Sequence, residues 1–171
     1  HWHNYDENVL PPIIDTKLQS NNAVLATEET KVLVYLPFEN QQMMTEILQQ
    51  FPHIKFVQYA QNLTDKELGN VSQRKASPAF KNDLTTATGV ICNSGFELIS
   101  ECLHLGLPIL TKPLNGQMEQ HSNALALQQL NYATVVETLT KENIGAWIEN
   151  KKAVQPKEMP NVAKGIADSI V

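Results

Sequence analysis

The stretch Gly89–Glu101 combines residue types that can bind a phosphate and a neighbouring hydroxyl group. It predicts a buried strand, then a turn made of Asn93, Ser94 and Gly95, then a helix. The first backbone N–H groups of a helix have no partner within it and lie at the positive end of its dipole, so a phosphate is favoured there. Glu101, one turn inside the helix, would accept hydrogen bonds from hydroxyl groups beside that phosphate.

The three turn residues have complementary capacities. Gly95 has no Cβ, so a phosphate can approach the backbone closely, and Asn93 and Ser94 carry side-chain hydrogen-bond donors. A tight strand-to-helix turn that simply needs glycine is the alternative explanation. The sequence lacks the repeated glycines of a dinucleotide-binding loop and the lysine of a P-loop.

A second polar group begins the next predicted helix. Glu119 and Gln120 offer acceptors and a donor pair that suit sugar hydroxyls, although both residues are also ordinary at a solvated helix start. Arg74 ends a predicted strand and could pair with a phosphate or border a base, with a plain surface charge as the alternative. His104 and His121 are single histidines, and for each we expect a structural or surface role rather than that of a base.

Strands and helices alternate from Lys31 onward, and this alternation positions the polar groups. The predicted strands cover residues 31–36, 53–59, 70–75, 88–92, 107–112 and 133–136. The predicted helices cover residues 40–51, the segment opened by Ser77-Pro78, and residues 96–105, 117–130, 141–150 and 158–170. On the first helix, Met43, Met44, Ile47 and Leu48 are expected on the inner face.

This alternation predicts an α/β fold of the Rossmann-like, doubly wound class, with a mostly parallel sheet and helices on both faces. In such sheets, ligands bind beyond the carboxyl ends of the strands, where the strand order switches. The Asn93 turn and the loop before Glu119 both belong to that edge. We expect residues 31–171 to form the domain and residues 1–30 to be a linker or N-terminal arm.

Composition excludes several classes of protein. The 171 residues are 42% hydrophobic and 18% charged with a net charge of -5, so no basic stripe predicts nucleic-acid binding. No apolar run approaches the roughly 20 residues that a membrane span needs, and no signal peptide is visible. Cys92 and Cys102 are expected as buried thiols, which favours a cytoplasmic location. No metal-ligand spacing stands out.

Together, these motifs resemble the C-terminal, donor-binding domain of GT-B glycosyltransferases. The resemblance is to the bacterial enzyme that adds N-acetylglucosamine to the lipid-linked peptidoglycan precursor, to the UDP-dependent glucosyl- and glucuronosyltransferases, and to a group of microbial glycosyltransferase-like proteins. The matching elements are Ser94-Gly95, Ser100-Glu101, Gly106-Leu107-Pro108, Pro113, Glu119-Gln120 and Asn123-Ala124.

The resemblance implies a role for each candidate residue. The diphosphate of the donor would lie at Asn93-Ser94-Gly95, its ribose hydroxyls at Glu101, and the transferred sugar at Glu119 and Gln120. Arg74 falls near the position where the family holds the base.

Two departures from the family pattern concern the phosphate contacts. Asn93 stands where plant and animal relatives have histidine, and the loop Leu36–Asn40 lacks the glycines that some relatives use there.

The resemblance also implies a larger protein. The family's acceptor site and general base belong to an N-terminal domain, which we expect to lie outside this chain, so the catalytic base is unknown. The implied function is donor binding in an inverting transfer of a hexosyl group from a nucleotide-diphosphate sugar, with UDP-sugar as the first choice, to an acceptor hydroxyl. No metal or cofactor is implied.

The alternatives are a stand-alone donor-binding subunit that recruits a separate acceptor-domain partner, and a nucleotide-sugar epimerase-like protein.

Overall fold

The computed structural model describes residue 2, residues 10–15, residue 18, residues 30–151, residues 155–157, and residues 159 and 162. Its strands are β1 (Lys31–Tyr35), β2 (Lys55–Ala60), β3 (Lys66–Leu68), β4 (Val71–Lys75), β5 (Gly89–Asn93), β6 (Ile109–Lys112) and β7 (Thr134–Val135). Its helices are α1 (Gln41–Leu48), α2 (Ala79–Thr85), α3 (Phe96–Leu105), α4 (Met118–Gln129) and α5 (Lys141–Asn150).

The described strands form a single sheet in the order β3-β4-β2-β1-β5-β6-β7. All neighbours pair in parallel except β3, which is antiparallel to β4. The chain builds outward from β1 through β2 to β4, then returns to place β5 against the other side of β1. The strand order therefore switches between β1 and β5. This is the Rossmann-like, doubly wound arrangement, and the predicted fold class is confirmed.

Apolar side chains cover both faces of the sheet, as expected for parallel strands covered on both sides. In β1, Leu33 belongs to one buried cluster, while Val32 and Val34 belong to the cluster on the other face. Helix α3 packs on the first face through Ile99 and Leu103, and the second face is covered by α1 and α5. These two layers fix the helices relative to the strand ends.

Helix α3 has clear start and stop signals. Gly95 occupies its N-cap, and Gly106 ends it in the left-handed region with φ 71°, a conformation that glycine adopts without strain. The predicted bounds of this helix are confirmed.

The sequence misplaced one residue and did not predict one strand, and one predicted helix lies mostly outside the described residues. Met43 is 48% exposed, not on the inner face, because the cap at Asn40 sets the phase of α1 so that Met44 and Leu48 point inward. Strand β3 was not predicted, since three residues carry little periodicity. Of the expected helix at 158–170, only residues 159 and 162 lie within the described part of the chain.

Three of the described residues of the segment 1–30 are buried, namely Trp2, Pro12 and Leu18. Trp2 and Leu18 are 5% and 6% exposed and belong to the same apolar cluster as α3. The division of the chain at residue 30 stays a prediction.

Candidate functional site

The turn between β5 and α3 lies at the switch point, with β1 on one side and β6 on the other. We call the edge formed by the carboxyl ends of β1, β5 and β6 the carboxyl edge. At the turn, Gly95 has ordinary extended angles, φ -71° and ψ 140°, and a Cβ built on it would meet nothing within 4 Å. As a glycine, the N-cap residue has no side chain of its own to cap the start of α3. Neither backbone strain nor packing within the described residues requires a glycine here. The amide of Gly95 itself donates a hydrogen bond to the carbonyl oxygen of Asn93 at 2.8 Å, so a ligand at the turn would meet the amides of α3 that follow it.

The side chain of Ser94 faces the interior. Its buried hydroxyl lies 3.0 Å from Oγ1 of Thr111, and its carbonyl oxygen accepts a hydrogen bond from Nδ2 of Asn123 at 3.0 Å. Asn123 thereby ties α4 to the turn, a role that the sequence motif did not reveal. Any phosphate contact at this residue would come from the backbone.

Asn93 is 7% exposed and is only half satisfied. Its Nδ2 donates a hydrogen bond to the carbonyl oxygen of Lys112 at 3.1 Å, while its Oδ1 has no hydrogen-bond partner among the described residues. A buried acceptor without a donor costs about 1–3 kcal/mol, and such groups call for an explanation. One of the two N–H donors that we expected at the phosphate is therefore already engaged.

Glu101 is 3% exposed and forms an ion pair with Lys81 of α2. A buried carboxylate needs such a partner, because desolvation of an unpaired charge is very costly. The sequence indicated the need for a partner but not which residue supplies it. Trp2 contacts two residues of the same helix, α3. Its Nε1 donates a hydrogen bond to Oγ of Ser100 at 2.9 Å, and its ring stacks on that of Phe96, with 4.7 Å between ring centroids.

The start of α4 reaches the carboxyl edge beside the turn. Oε1 of Gln120 accepts a hydrogen bond from the amide of Leu114 at 3.0 Å, which closes the loop after β6. Glu119 is exposed in the first turn of the helix. The structure thus brings Glu119 and Gln120 to the same edge as the Asn93 turn.

Arg74 lies apart from this group. It is in β4, which is three strands from β5, or about 14 Å at the usual strand spacing. Arg74 forms an ion pair with Glu67 of β3, and this hydrogen bond raises the pKa of the guanidinium. Hydrogen bonds from Ser72 and Arg74 hold the pKa of Glu67 below its ordinary value.

An ion pair that the sequence did not suggest crosses the carboxyl edge. Lys112, the last residue of β6, pairs with Glu39 in the loop after β1, and the two side chains are 14% and 16% exposed. They help to line a depression of about 360 Å³ together with four neighbours, Phe38, Leu114, Asn115 and Gln117.

Other potentially reactive groups have structural surroundings. Cys92 and Cys102 are buried free thiols, and burial raises the pKa of Cys92 to about 12. The ring nitrogens of His104 contact the carbonyl oxygens of Leu18 and Lys157 at 3.2 Å. Within the described residues, no His, Cys, Asp or Glu group could hold a metal ion, and no helix there could span a membrane.

Comparison with known proteins identifies the family of this chain. The model of the family described as glycosyl transferase family 1 matches residues 3–151. The chain belongs to glycosyl transferase family 1. No curated protein matches it in sequence.

Among solved structures, this chain resembles the glycotransferase of kitacinnamycin. The two share 24% sequence identity with a TM-score of 0.57, and the match covers 69% of this chain and 33% of that chain. MurG of Acinetobacter baumannii has 15% identity, a TM-score of 0.62 and coverage of 86% and 51%. These identities show a shared GT-B fold alone. The chain spans about a third to a half of the length of these two proteins.

A third resemblance is to SsfS6 of Streptomyces sp. SF2575, solved in complex with thymidine diphosphate, with 13% identity, a TM-score of 0.57 and coverage of 72% and 34%. The solution structure of ALG13 has 14% identity and a TM-score of 0.56, and the match covers 80% of this chain and 93% of that one.

Proposed function

We propose that this member of glycosyl transferase family 1 binds the nucleotide-diphosphate sugar of an inverting hexosyl transfer, with a UDP-sugar as the first candidate. The open Gly95 turn at the switch point carries this proposal. A diphosphate there would lie at the positive end of α3, where the first amides of a helix have no partner within the helix, and no Cβ of residue 95 would stand in its path. The thymidine diphosphate bound to SsfS6, a protein of the same fold, supports a ligand of this class.

In this proposal, Glu101 accepts hydrogen bonds from the ribose hydroxyls of the donor. Its ion pair with Lys81 would fix the carboxylate between α3 and α2. Glu119 and Gln120, at the start of α4, would face the transferred sugar. Arg74 is the weakest member of the set, because it lies about three strand spacings from β5 and is already paired with Glu67.

The chemistry would then be divided between two domains. A base outside this chain would deprotonate the acceptor hydroxyl, whose oxygen would attack the anomeric carbon and displace the nucleoside diphosphate. The amides of α3 would stabilise the negative charge that develops on the leaving diphosphate, without a metal or cofactor. We therefore expect the chain by itself to bind the donor and to transfer no sugar.

A stand-alone subunit is the second candidate. The match to ALG13 covers 93% of that chain, so a domain of this size and fold occurs as a nearly complete chain. In that case an acceptor domain would come from a separate partner. Buried free thiols suit a cytoplasmic setting for either candidate.

Calorimetry with UDP and with thymidine diphosphate tests the proposal. We expect one or both nucleotides to bind, and Glu101→Ala to weaken binding by roughly tenfold or more, because hydrogen bonds to a charged group are lost. Glu149→Ala, which removes an exposed carboxylate at the end of α5, is the matched control and should leave affinity unchanged.

Two results would count against the proposal. Absence of binding for both nucleotides would contradict donor binding itself. Equal affinity in the wild-type protein and a folded Glu101→Ala variant would contradict only the ribose assignment, and thermal unfolding establishes that the variant is folded.

A further inference from the structure

The ion pair between Lys112 and Glu39 lies across the end of the strand that leads into the candidate phosphate site. In the sheet order, β5 lies between β1 and β6. Glu39 follows β1, Lys112 ends β6, and Lys112 is the register partner of Asn93 at the end of β5. A side chain of β6 and a loop residue after β1 therefore meet over about two strand spacings, or roughly 10 Å.

We propose that Lys112 is the cationic group for the donor's diphosphate, and that it exchanges Glu39 for the diphosphate when the donor binds. This inference rests on the proposed function and adds to it a residue and a step. In the structure, the carboxylate of Glu39 is paired with the ammonium group of Lys112. In our proposal, a phosphate at the start of α3 would take the place of that carboxylate. The two side chains are only partly exposed, so their interaction is less screened by solvent than that of a fully exposed pair.

Lysine chemistry suits an exchange of partners. The backbone of Lys112 is held in β6, where its carbonyl oxygen accepts from Nδ2 of Asn93. Its ammonium group has three donors on a flexible stem, so it can change partners while the backbone stays in place. A carboxylate and a diphosphate close to one ammonium group repel each other, which favours release of Glu39.

The neighbouring groups favour Lys112 over other cations. Arg74 and Lys75 lie at the end of β4, three strands from β5, and Arg74 is paired with Glu67. Lys81 is paired with Glu101, which is only 3% exposed, so release of Lys81 would leave a deeply buried carboxylate unpaired. The remaining charges that begin helices at this edge, Glu97 and Glu119, are negative and exposed.

Two further features agree with a ligand at this place. The pair borders the depression of about 360 Å³ on the carboxyl edge. The adjacent Oδ1 of Asn93 is buried without a hydrogen-bond partner among the described residues, and because it is an acceptor, a hydroxyl group of the donor would satisfy it where the diphosphate oxygens would not.

Calorimetry with UDP, UMP and thymidine diphosphate on four variants tests the exchange. Lys112→Gln should weaken UDP binding by roughly tenfold and UMP binding less, because one charged contact to the second phosphate is lost. Lys112→Arg should retain most of the affinity. Glu39→Gln should strengthen UDP binding, because it removes the competing anion. Lys55→Gln is the matched control. It removes the same charge at the amino end of β2, at the edge of the sheet opposite to the carboxyl edge, and should have no effect.

The outcomes separate the two proposals. If the wild-type protein binds none of the three nucleotides, both the proposed function and this inference fail. If it binds UDP and the folded Lys112→Gln variant binds equally well, the role of Lys112 fails and the proposed function stands. If Glu39→Gln leaves UDP affinity unchanged or lowers it, the exchange of partners is wrong.

Discussion

Strand β5 has a glycine at its start and another just beyond its end, and the two have opposite surroundings. A Cβ on Gly89 would lie 2.8 Å from the buried ring of Trp147, so packing inside the domain accounts for that glycine. A Cβ on Gly95 would meet nothing within 4 Å, and the angles of Gly95 suit any residue. The fold requires the first glycine. Neither packing nor backbone strain among the described residues requires the second, and its missing Cβ leaves the backbone there open to a ligand.

Substitution of Gly89 should give the largest effect on stability. Gly89→Ala forces the ring of Trp147 or the backbone of β5 to shift, and such overpacking should lower the free energy of unfolding by about 1–3 kcal/mol. Urea denaturation followed by tryptophan fluorescence measures this change. If Gly89→Ala were as stable as the wild-type protein, the packing explanation for this glycine would be wrong.

Substitution of Gly95 should instead affect ligand binding. In Gly95→Ala the added methyl group points into open space, where it would hold a phosphate away from at least one amide of α3. We expect UDP affinity to fall by roughly tenfold, as for the loss of one hydrogen bond to a charged group. Calorimetry on Gly95→Ala and on wild-type protein gives the ratio, and equal affinities would remove the contrast between the two glycines.

The smallest expected effect is that of Gly95→Ala on stability. Alanine restricts the unfolded chain, which is stabilising, but is a poorer N-cap than glycine, and these two effects nearly cancel. The free energy of unfolding should therefore change by no more than about 0.5 kcal/mol. A loss as large as that expected for Gly89→Ala would show that the fold itself needs Gly95.

Local signals predicted much of the fold. The apolar runs and the Gly106 stop signal gave the bounds of α3, and the alternation of elements gave the doubly wound class, since these depend on residues close in sequence. Met43 was misplaced because it is adjacent to Met44, and one residue rotates a helix by about 100°. Strand β3 was not predicted, because its three residues form a strand only through their pairing with β4.

The candidate site was less predictable because its contacts are distant in sequence. The turn, Glu101 and the start of α4 were identified, and the doubly wound topology explains why the turn and the α4 start share an edge. The partner of Glu101 lies in α2, the hydroxyl of Ser94 turns inward to Thr111, and Lys112 meets Glu39 from a strand two places away. No local pattern encodes such pairs, because they exist only once the sheet order is set.

The most direct test of the central claim is a titration of the ¹⁵N-labelled chain with UDP, observed through the backbone amide signals. If the start of α3 binds the diphosphate, the largest chemical-shift changes should fall on the amides of Gly95, Phe96 and Glu97, with little change at Gly89. Saturable changes that are largest elsewhere, or no change at these three amides at UDP concentrations that bind, would contradict the account.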